Sequence, residues 1–362
     1  MRPRIAIVAP SLEILGGQGV QAQMMLRQLR EDGYEVIFVP VNPAFPRGLR
    51  WLRRLPYART LLNEALYVPS LARLRHVDVA HVFSASYWSF VVSPLPAILA
   101  ARLFGTRVVL NYRSGEADDH LSRGGVLVHP WLRLVHAIVV PSQFLSEVFA
   151  RHGYRTEIIR NVVNTNRFAY RERRPVRPRL VSVRNFEAHY RVADTVEAFS
   201  FVRARYPEAT LALAGYGSEE SRLRALVASR SLGGVTFLGR VSPDAMPGVY
   251  AQGDIFVNSS VIDNQPNSVL EAFAAGLPVV STGTGEIATM VRDGETGLIV
   301  PADDPAAMAK AVMTLLENPE SAVEMARRAR TDVEQYGWPQ ARRRWLRAYT
   351  GNLDATGERD ES

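Results

Sequence analysis

The chain has 362 residues, 47% of them hydrophobic and 22% charged, with a formal net charge of +7 and no cysteine. That is enough chain for two domains, and it is too apolar for a disordered protein. The lack of cysteine excludes a disulfide scaffold, a cysteine-ligated zinc and a thiol nucleophile, and it fits a reducing, cytoplasmic setting. The charge is uneven: residues 1–165 hold 19 arginines against 11 acids, whereas the remainder holds 24 basic against 25 acidic residues. The opening MRPRIAIVAPS reads as a strand, because its apolar run is too short for a signal peptide. Strands are predicted at Arg4 to Ala9, Glu35 to Val39, Val77 to Phe83, Arg107 to Leu110 and Ala137 to Pro141, with a helix over Val20 to Glu31 ending at Gly33. The apolar stretch Val82 to Phe104 is broken by Pro94 and Pro96, so no membrane span is expected there. A basic, proline-bearing segment over residues 165–179 reads as an exposed linker. Strands then resume at Leu180 to Val183, Thr210 to Ala214, Val235 to Leu238, Ile255 to Asn258, Pro278 to Ser281 and Gly297 to Val300. The alternation of short β-branched runs with helical patterns predicts parallel α/β domains. The expected division is 1–168 for an acceptor-side domain and 175–335 for a nucleotide-binding domain. A helix over 336–350 is expected to pack back on the first domain, and a polar tail to cover 351–362.

The string SSVIDNQPNSVLEAFAAGLPVVST carries the most chemistry. A strand ends at Asn258, and Pro266 suits the first turn of the helix that follows the loop. Asn264 can cap that helix, and Asn267, Ser268 and Val269 would then present backbone amides at its positive end, a ready anion site. Gln265 lies in the same loop. Glu271, one turn in, can accept two hydrogen bonds from a ribose diol, and Asp263 precedes it by eight residues. Gly276 is placed to end the helix.

This string resembles the donor-site signature of the retaining glycosyltransferases of family four, in which two acids flank the loop ahead of an A-x-G-x-P-V run. Asp263 stands in the first acidic place, one methylene shorter than the family glutamate. The resemblance implies two Rossmann-like α/β/α domains facing a central cleft, the GT-B fold. It implies that Glu271 binds the nucleotide ribose and Asp263 the transferred sugar.

LGGQGVQA, residues 15–22, fits a dinucleotide pattern. However, PSLEIL separates it from the first strand, and no acid ends the second strand, which argues against NAD. It is similar to the family's amino-terminal glycine loop, with Gly17 set to face a diphosphate. Arg184, in LVSVRNFEAHYRVADTVEAF, fills the family's arginine place. The family lysine is missing, Lys310 being the chain's sole lysine, and Arg191 is the candidate replacement. Gly215 and Gly217 in LAGYGSE match another family turn. Leu238 and Val241, in FLGRV, stand where the family holds the base, and Gly285 and Glu286 resemble its glycine-rich loop. The strings VVPSQ and IIRNVV match the family's last amino-domain strands. The family's acceptor-side histidine is not found: Asn111, Tyr112 and Arg113 fill that region, so Tyr112 and Arg113 are the acceptor-side candidates. His120 lies further along, His81 reads as a packed strand residue, and Glu116, Asp118 and Asp119 read as an acidic helix start.

No acid occurs from Asn42 to Asn63, where Arg47, Arg50, Arg53, Arg54 and Arg59 interleave with Phe45, Trp51, Leu52 and Tyr57. This is the make-up of a cationic segment lying on anionic lipid, or of a solvated basic face. No nucleic-acid motif accompanies the charge. The resemblance implies a retaining, metal-independent transfer of a sugar from a UDP- or GDP-linked donor to a sugar, glycan or lipid-linked acceptor, with no cofactor and no metal ligands. A catalytically weak nucleotide-sugar-binding protein and another enzyme of the same fold, such as an epimerase, are the alternatives.

Overall fold

A computed structural model describes residues 2–11, 17–84 and 86–351. The chain forms two compact units, Met1–Arg160 with Ala341–Ser362, and Asn161–Gln340. The division falls before the basic segment, and the carboxy-terminal residues rejoin the first unit.

In the first unit, six strands form a parallel sheet: β1 (Ile5–Ala9), β2 (Val36–Pro40), β3 (Val79–Ser84), β4 (Arg107–Tyr112), β5 (Ala137–Val140) and β6 (Glu157–Ile158). Their order is β2-β1-β3-β4-β5-β6. β1 and β3 are buried along their whole length, as strands covered by helices on both faces must be. Residues 88–103, the supposed span candidate, form the two short helices Trp88–Val92 and Pro94–Leu103. Among the described residues, no helix is long and apolar enough to cross a membrane. The strand expected over residues 158–163 stops at Ile158, because Asn161 turns its amide and its side chain to Gln265 instead of to a neighbouring strand.

In the second unit the strands are β7 (Arg179–Val183), β8 (Thr210–Ala214), β9 (Val235–Gly239), β10 (Ile255–Asn258), β11 (Val279–Thr282) and β12 (Leu298–Val300). The order β12-β11-β10-β7-β8-β9 is the 3-2-1-4-5-6 order of dinucleotide-binding folds read from its other edge. The chain runs outward from β7 in both directions, so the switch point lies between β7 and β10.

The basic segment is no exposed linker. Phe168, Arg173 and Val176 are buried. Arg173 donates to the carbonyls of Tyr250 at 3.1 Å and Arg171 at 2.6 Å. Arg171 and Arg179 close on the fully buried Asp254 at 2.8 and 2.6 Å. The arginines that mark the segment as solvent-loving are therefore used to neutralise one buried carboxylate and to saturate helix-end carbonyls.

Candidate donor site and acceptor-side residues

The site in the second unit grows from the switch point. Arg184 directly follows β7, and its Nη2 lies 2.5 Å from Asp263 Oδ2, beyond β10. The contact is an ion pair whose angles are not those of a hydrogen bond. Both side chains are about nine-tenths buried, at 10% and 11% exposure. Arg184 Nε donates to Asn258 Oδ1 at 2.7 Å, and Asn258 is held in turn by Ser260 at 2.8 Å and Ser281 at 2.8 Å. The guanidinium carbon also stands 5.1 Å from the ring centre of Tyr190, where the ring face favours a cation. Arg184 is thus locked by a buried polar web that leaves little rotamer freedom.

Two glycines let the neighbouring loops reach this arginine. A Cβ on Gly215 would stand 1.8 Å from the Arg184 carbonyl, and one on Gly217 would stand 2.3 Å from the Phe186 carbonyl. The turns after β7 and β8 therefore cross at backbone contact. Leu238 on β9 is exposed, Val241 is half-buried, and Gly215 N–H donates to the Gly239 carbonyl.

The helix Asn267–Ala275 begins with Pro266 in the capping position, not Asn264, and no side chain caps it. A proline side chain has no acceptor, so the expected cap is absent. The first intrahelical bond runs from Leu270 N–H to the Pro266 carbonyl, which leaves the amides of Asn267, Ser268 and Val269 ahead of the ladder. Gln265 is buried and locks Asn161: its side-chain oxygen accepts from the Asn161 amide, and its carbonyl from Asn161 Nδ2. Asn161 Nδ2 also lies 3.1 Å from Asn267 Oδ1. Gly276 ends the helix in the left-handed region, at φ 74°.

Glu271 faces Tyr250, whose hydroxyl lies 2.8 Å from Oε2 and 3.2 Å from the Ser268 carbonyl. Part of Glu271 reaches solvent, but the surrounding protein desolvates its carboxyl and pushes it up to about 7, against opposing pulls from Tyr250, Arg167 and Arg184. Nothing in the sequence marks Tyr250 as its partner. Asp263 is pinned from behind: a Cβ on Gly285, at φ 57°, would stand 2.1 Å from the Asp263 carbonyl, and Glu286 N–H donates to the Asn264 carbonyl.

Arg191, the proposed lysine replacement, adopts left-handed backbone angles at the start of the helix Val192–Arg205. Its guanidinium is shared by Asp194, at 3.1 Å, and Asp303. Lys310 is exposed on the helix Pro305–Glu317.

In the first unit, Gly17 opens the helix Gly17–Glu31. The rest of its loop, residues 12–16, lies outside the described residues. Tyr112 is fully buried, and its hydroxyl bridges Ser86 at 2.9 Å and His120 Nδ1 at 2.8 Å. It is therefore withdrawn from any direct acceptor contact, and it points to the opposite sheet face from Arg113, as strand neighbours do. Burial drives His120 down to about 4. Asp118 pairs with Arg151 and Asp119 with Arg123 on the surface. His81 is buried and packed against Trp345, as its strand position implied. Among the described residues, no group of three histidines or acids is placed to hold a metal ion.

Two family profiles cover most of the chain. The one described as Glycosyltransferase Family 4 matches residues 15–167, and the one described as Glycosyl transferases group 1 matches residues 177–318. The glycogen synthase of Mycobacterium tuberculosis is 28% identical over 250 residues, 65% of this chain and 60% of that one, so the match spans less than two thirds of that relative. The N-acetyl-alpha-D-glucosaminyl L-malate synthase of Bacillus anthracis is 24% identical over 355 residues, 89% of this chain and 90% of that protein. Among solved structures, Anabaena Alr3699/HepE in complex with UDP and glucose superposes with a TM-score of 0.75 at 16% identity, covering 97% of this chain and all of that one. With the paired Rossmann-like units and the donor-site string in place, the chain belongs to the family 4, or group 1, glycosyltransferases.

Proposed function

We propose that the protein transfers a hexosyl group from a UDP- or GDP-linked sugar to an acceptor, with retention of anomeric configuration and without a metal ion or cofactor. The observation that carries this reading is the arrangement at the switch point of the second sheet: Arg184 and Asp263 meet there, with Glu271 and three leading amides on the following helix. In this reading the diphosphate takes Arg184 and the amides of Asn267, Ser268 and Val269. The ribose diol takes Glu271, the sugar hydroxyls take Asp263, and Leu238 and Val241 border the base. Gly217 lets the loop beside the diphosphate pack against the Phe186 carbonyl. The arginine and the amides supply the positive field that a divalent cation supplies elsewhere, and each preorganised donor is worth about 3 kcal/mol at a developing anion. The relatives named above support a nucleotide-sugar donor and a small or glycan acceptor.

The test is nucleotide-sugar binding and turnover in Glu271→Ala. Thermal shifts with UDP- and GDP-sugars should vanish in the variant, with its unfolding transition intact; an unchanged shift sinks the donor-site reading. Activity should survive EDTA, and a strict requirement for added Mg²⁺ or Mn²⁺ would remove the metal-free part.

A second reading is a nucleotide-sugar-binding protein of weak catalytic power. It is favoured by Arg191, which two carboxylates already hold where the resemblance expects a free lysine. Multiple turnovers of a purified donor and acceptor would dismiss it.

We also propose peripheral contact with an anionic lipid surface through Arg47–Arg59. Trp51 and Tyr57 are 61% and 88% exposed, in a stretch free of acids.

A further inference from the structure

Among the described residues of the first unit, one cation has no side chain that neutralises it. Arg113 follows β4 at its carboxyl end, the edge of a parallel sheet at which ligands bind. Its Nη1 donates to Asn111 Oδ1 at 3.3 Å, and its guanidinium carbon lies 5.5 Å from the centre of the Phe83 ring. Its Nη2 is buried without a hydrogen-bond partner. Burial alone drives its guanidinium down to about 9, with no carboxylate pulling it back.

The side chain is held in place. A guanidinium can only donate, so Asn111 must turn its oxygen to Arg113 and its amide nitrogen to His81 Nε2, 3.0 Å away. His81 Nε2 is then the bare nitrogen, and Nδ1–H donates to the Tyr349 hydroxyl at 2.8 Å. Burial keeps His81 neutral, down to about 3, which preserves this one tautomer. The backbone is fixed as well: the Ser84 carbonyl accepts from Arg113 N–H at 3.4 Å and from Gln18 Nε2 at 3.3 Å. Gln18 belongs to the first turn of the helix Gly17–Glu31, a turn without any acid. The Gln18 side chain and the Arg113 backbone amide thus share one carbonyl, which fixes the backbone from which the guanidinium projects.

Arg113 is half-buried, with its Nη2 enclosed, and a partly desolvated cation without a counter-ion is costly. We propose that Arg113 is the anion-recognising residue of the acceptor subsite, so that the acceptor carries a carboxylate or phosphate group whose charge the guanidinium neutralises. The proposal rests on the reading of the first unit as the acceptor side. Asn111 and His81 act through Arg113 as positioning residues. The fork geometry of arginine matches both kinds of oxyanion.

The test uses the full chain without any donor, titrated with inorganic phosphate and, separately, with malonate, at constant ionic strength set with chloride. Tryptophan fluorescence is the readout. The wild type should show saturable binding of at least one of the two, and the stronger arm identifies phosphate or carboxylate as the group. Arg113→Gln should weaken that binding about 10- to 100-fold, and Arg113→Lys should weaken it less. UDP affinity should be the same in wild type and Arg113→Gln, and the variant should melt no lower than wild type in anion-free buffer, since an uncompensated charge has been removed. Asn111→Asp supplies an internal counter-ion and should abolish the response while Arg113 remains. It carries the test should Arg113→Gln not fold. No saturable binding in wild type, equal binding in Arg113→Gln, or a UDP affinity that falls with the anion affinity would each overturn the proposal. The last outcome would assign Arg113 to the donor diphosphate. Because the anion titrations contain no nucleotide, a failure of the Glu271 donor site leaves them unaffected.

Discussion

The guanidinium of Arg184 and the carboxylate of Asp263 lie 2.5 Å apart across the switch point of the second sheet, each nearly buried. Two residues that the family resemblance assigns to different parts of the donor therefore neutralise each other's charge. On the proposed donor reading, a diphosphate displaces Asp263 from the arginine, and the freed carboxylate becomes available to sugar hydroxyls. Charge compensation thus couples occupation of the two subsites. Asp263→Ala should tighten the binding of UDP alone several-fold, about 1 kcal/mol, while it depresses sugar transfer. Arg184→Ala should weaken UDP by about 1.5–3 kcal/mol, and the double variant should be non-additive. Isothermal titration with UDP checks the set. UDP binding that weakens in Asp263→Ala would contradict the competition.

Gly285 tests how the Asp263 loop is held. The backbone of Gly285 is left-handed at φ 57°, and a Cβ there would meet the Asp263 carbonyl at 2.1 Å. Gly105, at φ 69° with open space around it, isolates the cost of the backbone angle. Gly105→Ala should lose about 1 kcal/mol of stability and no activity. Gly285→Ala should lose about 1–3 kcal/mol and at least tenfold in transfer, because the carboxylate shifts off Arg184. Urea unfolding and donor turnover measure both effects, and equal behaviour of the two variants would show that the close approach is unimportant.

Most strands were legible because parallel-sheet strands are short, continuous apolar runs between turn residues, so Thr210–Ala214 and Ile255–Asn258 match to the residue. The loop and helix after β10 were legible through spacing, since Asp263, Pro266 and Gly276 mark a loop, a helix start and a helix end. What spacing cannot show is which side chains spend their hydrogen bonds on the fold. Gln265 holds Asn161 from 104 positions away, and Arg173 saturates carbonyls at 77 to 102 positions. Arginine density read as solvation over residues 165–179, whereas one buried acid, Asp254, draws two of those arginines inward. Tyr112 and Arg113 are adjacent in sequence, yet the alternation of strand side chains separates a structural hydroxyl from an unneutralised cation.

The exposed aromatic and basic segment predicts selective lipid binding. Trp51 and Tyr57 belong to the amphipathic class that settles at membrane interfaces. Sedimentation with phosphatidylglycerol vesicles should retain the protein, and phosphatidylcholine vesicles should not. Each arginine at an anionic surface contributes about 1 kcal/mol, so high salt should release it. Trp51→Ser with Tyr57→Ser should weaken retention at low salt without altering UDP binding. Equal retention by both lipids would sink the electrostatic part.

Glu271 predicts opposite pH responses of binding and stability. Burial raises its carboxyl to about 7, from the ordinary carboxylic range. A ribose diol donates two hydrogen bonds only to the ionised form, so UDP affinity should fall as the pH drops below about 7, approaching tenfold per unit. Folding has the reverse sign. The native state favours the protonated carboxyl, so this group's contribution is fully present below its unfolded value. It is lost as the pH rises from the ordinary carboxylic range through about 7. Glu271→Gln carries a permanent neutral side chain of the same shape. It should flatten the pH dependence of UDP binding, and it should gain stability relative to wild type as the pH rises from 5 to 8. The difference between the two proteins cancels the buried histidines, which titrate in both. Titration calorimetry and urea unfolding at matched pH values read the two curves. A Glu271→Gln variant whose affinity still falls tenfold per unit would place the titrating group elsewhere.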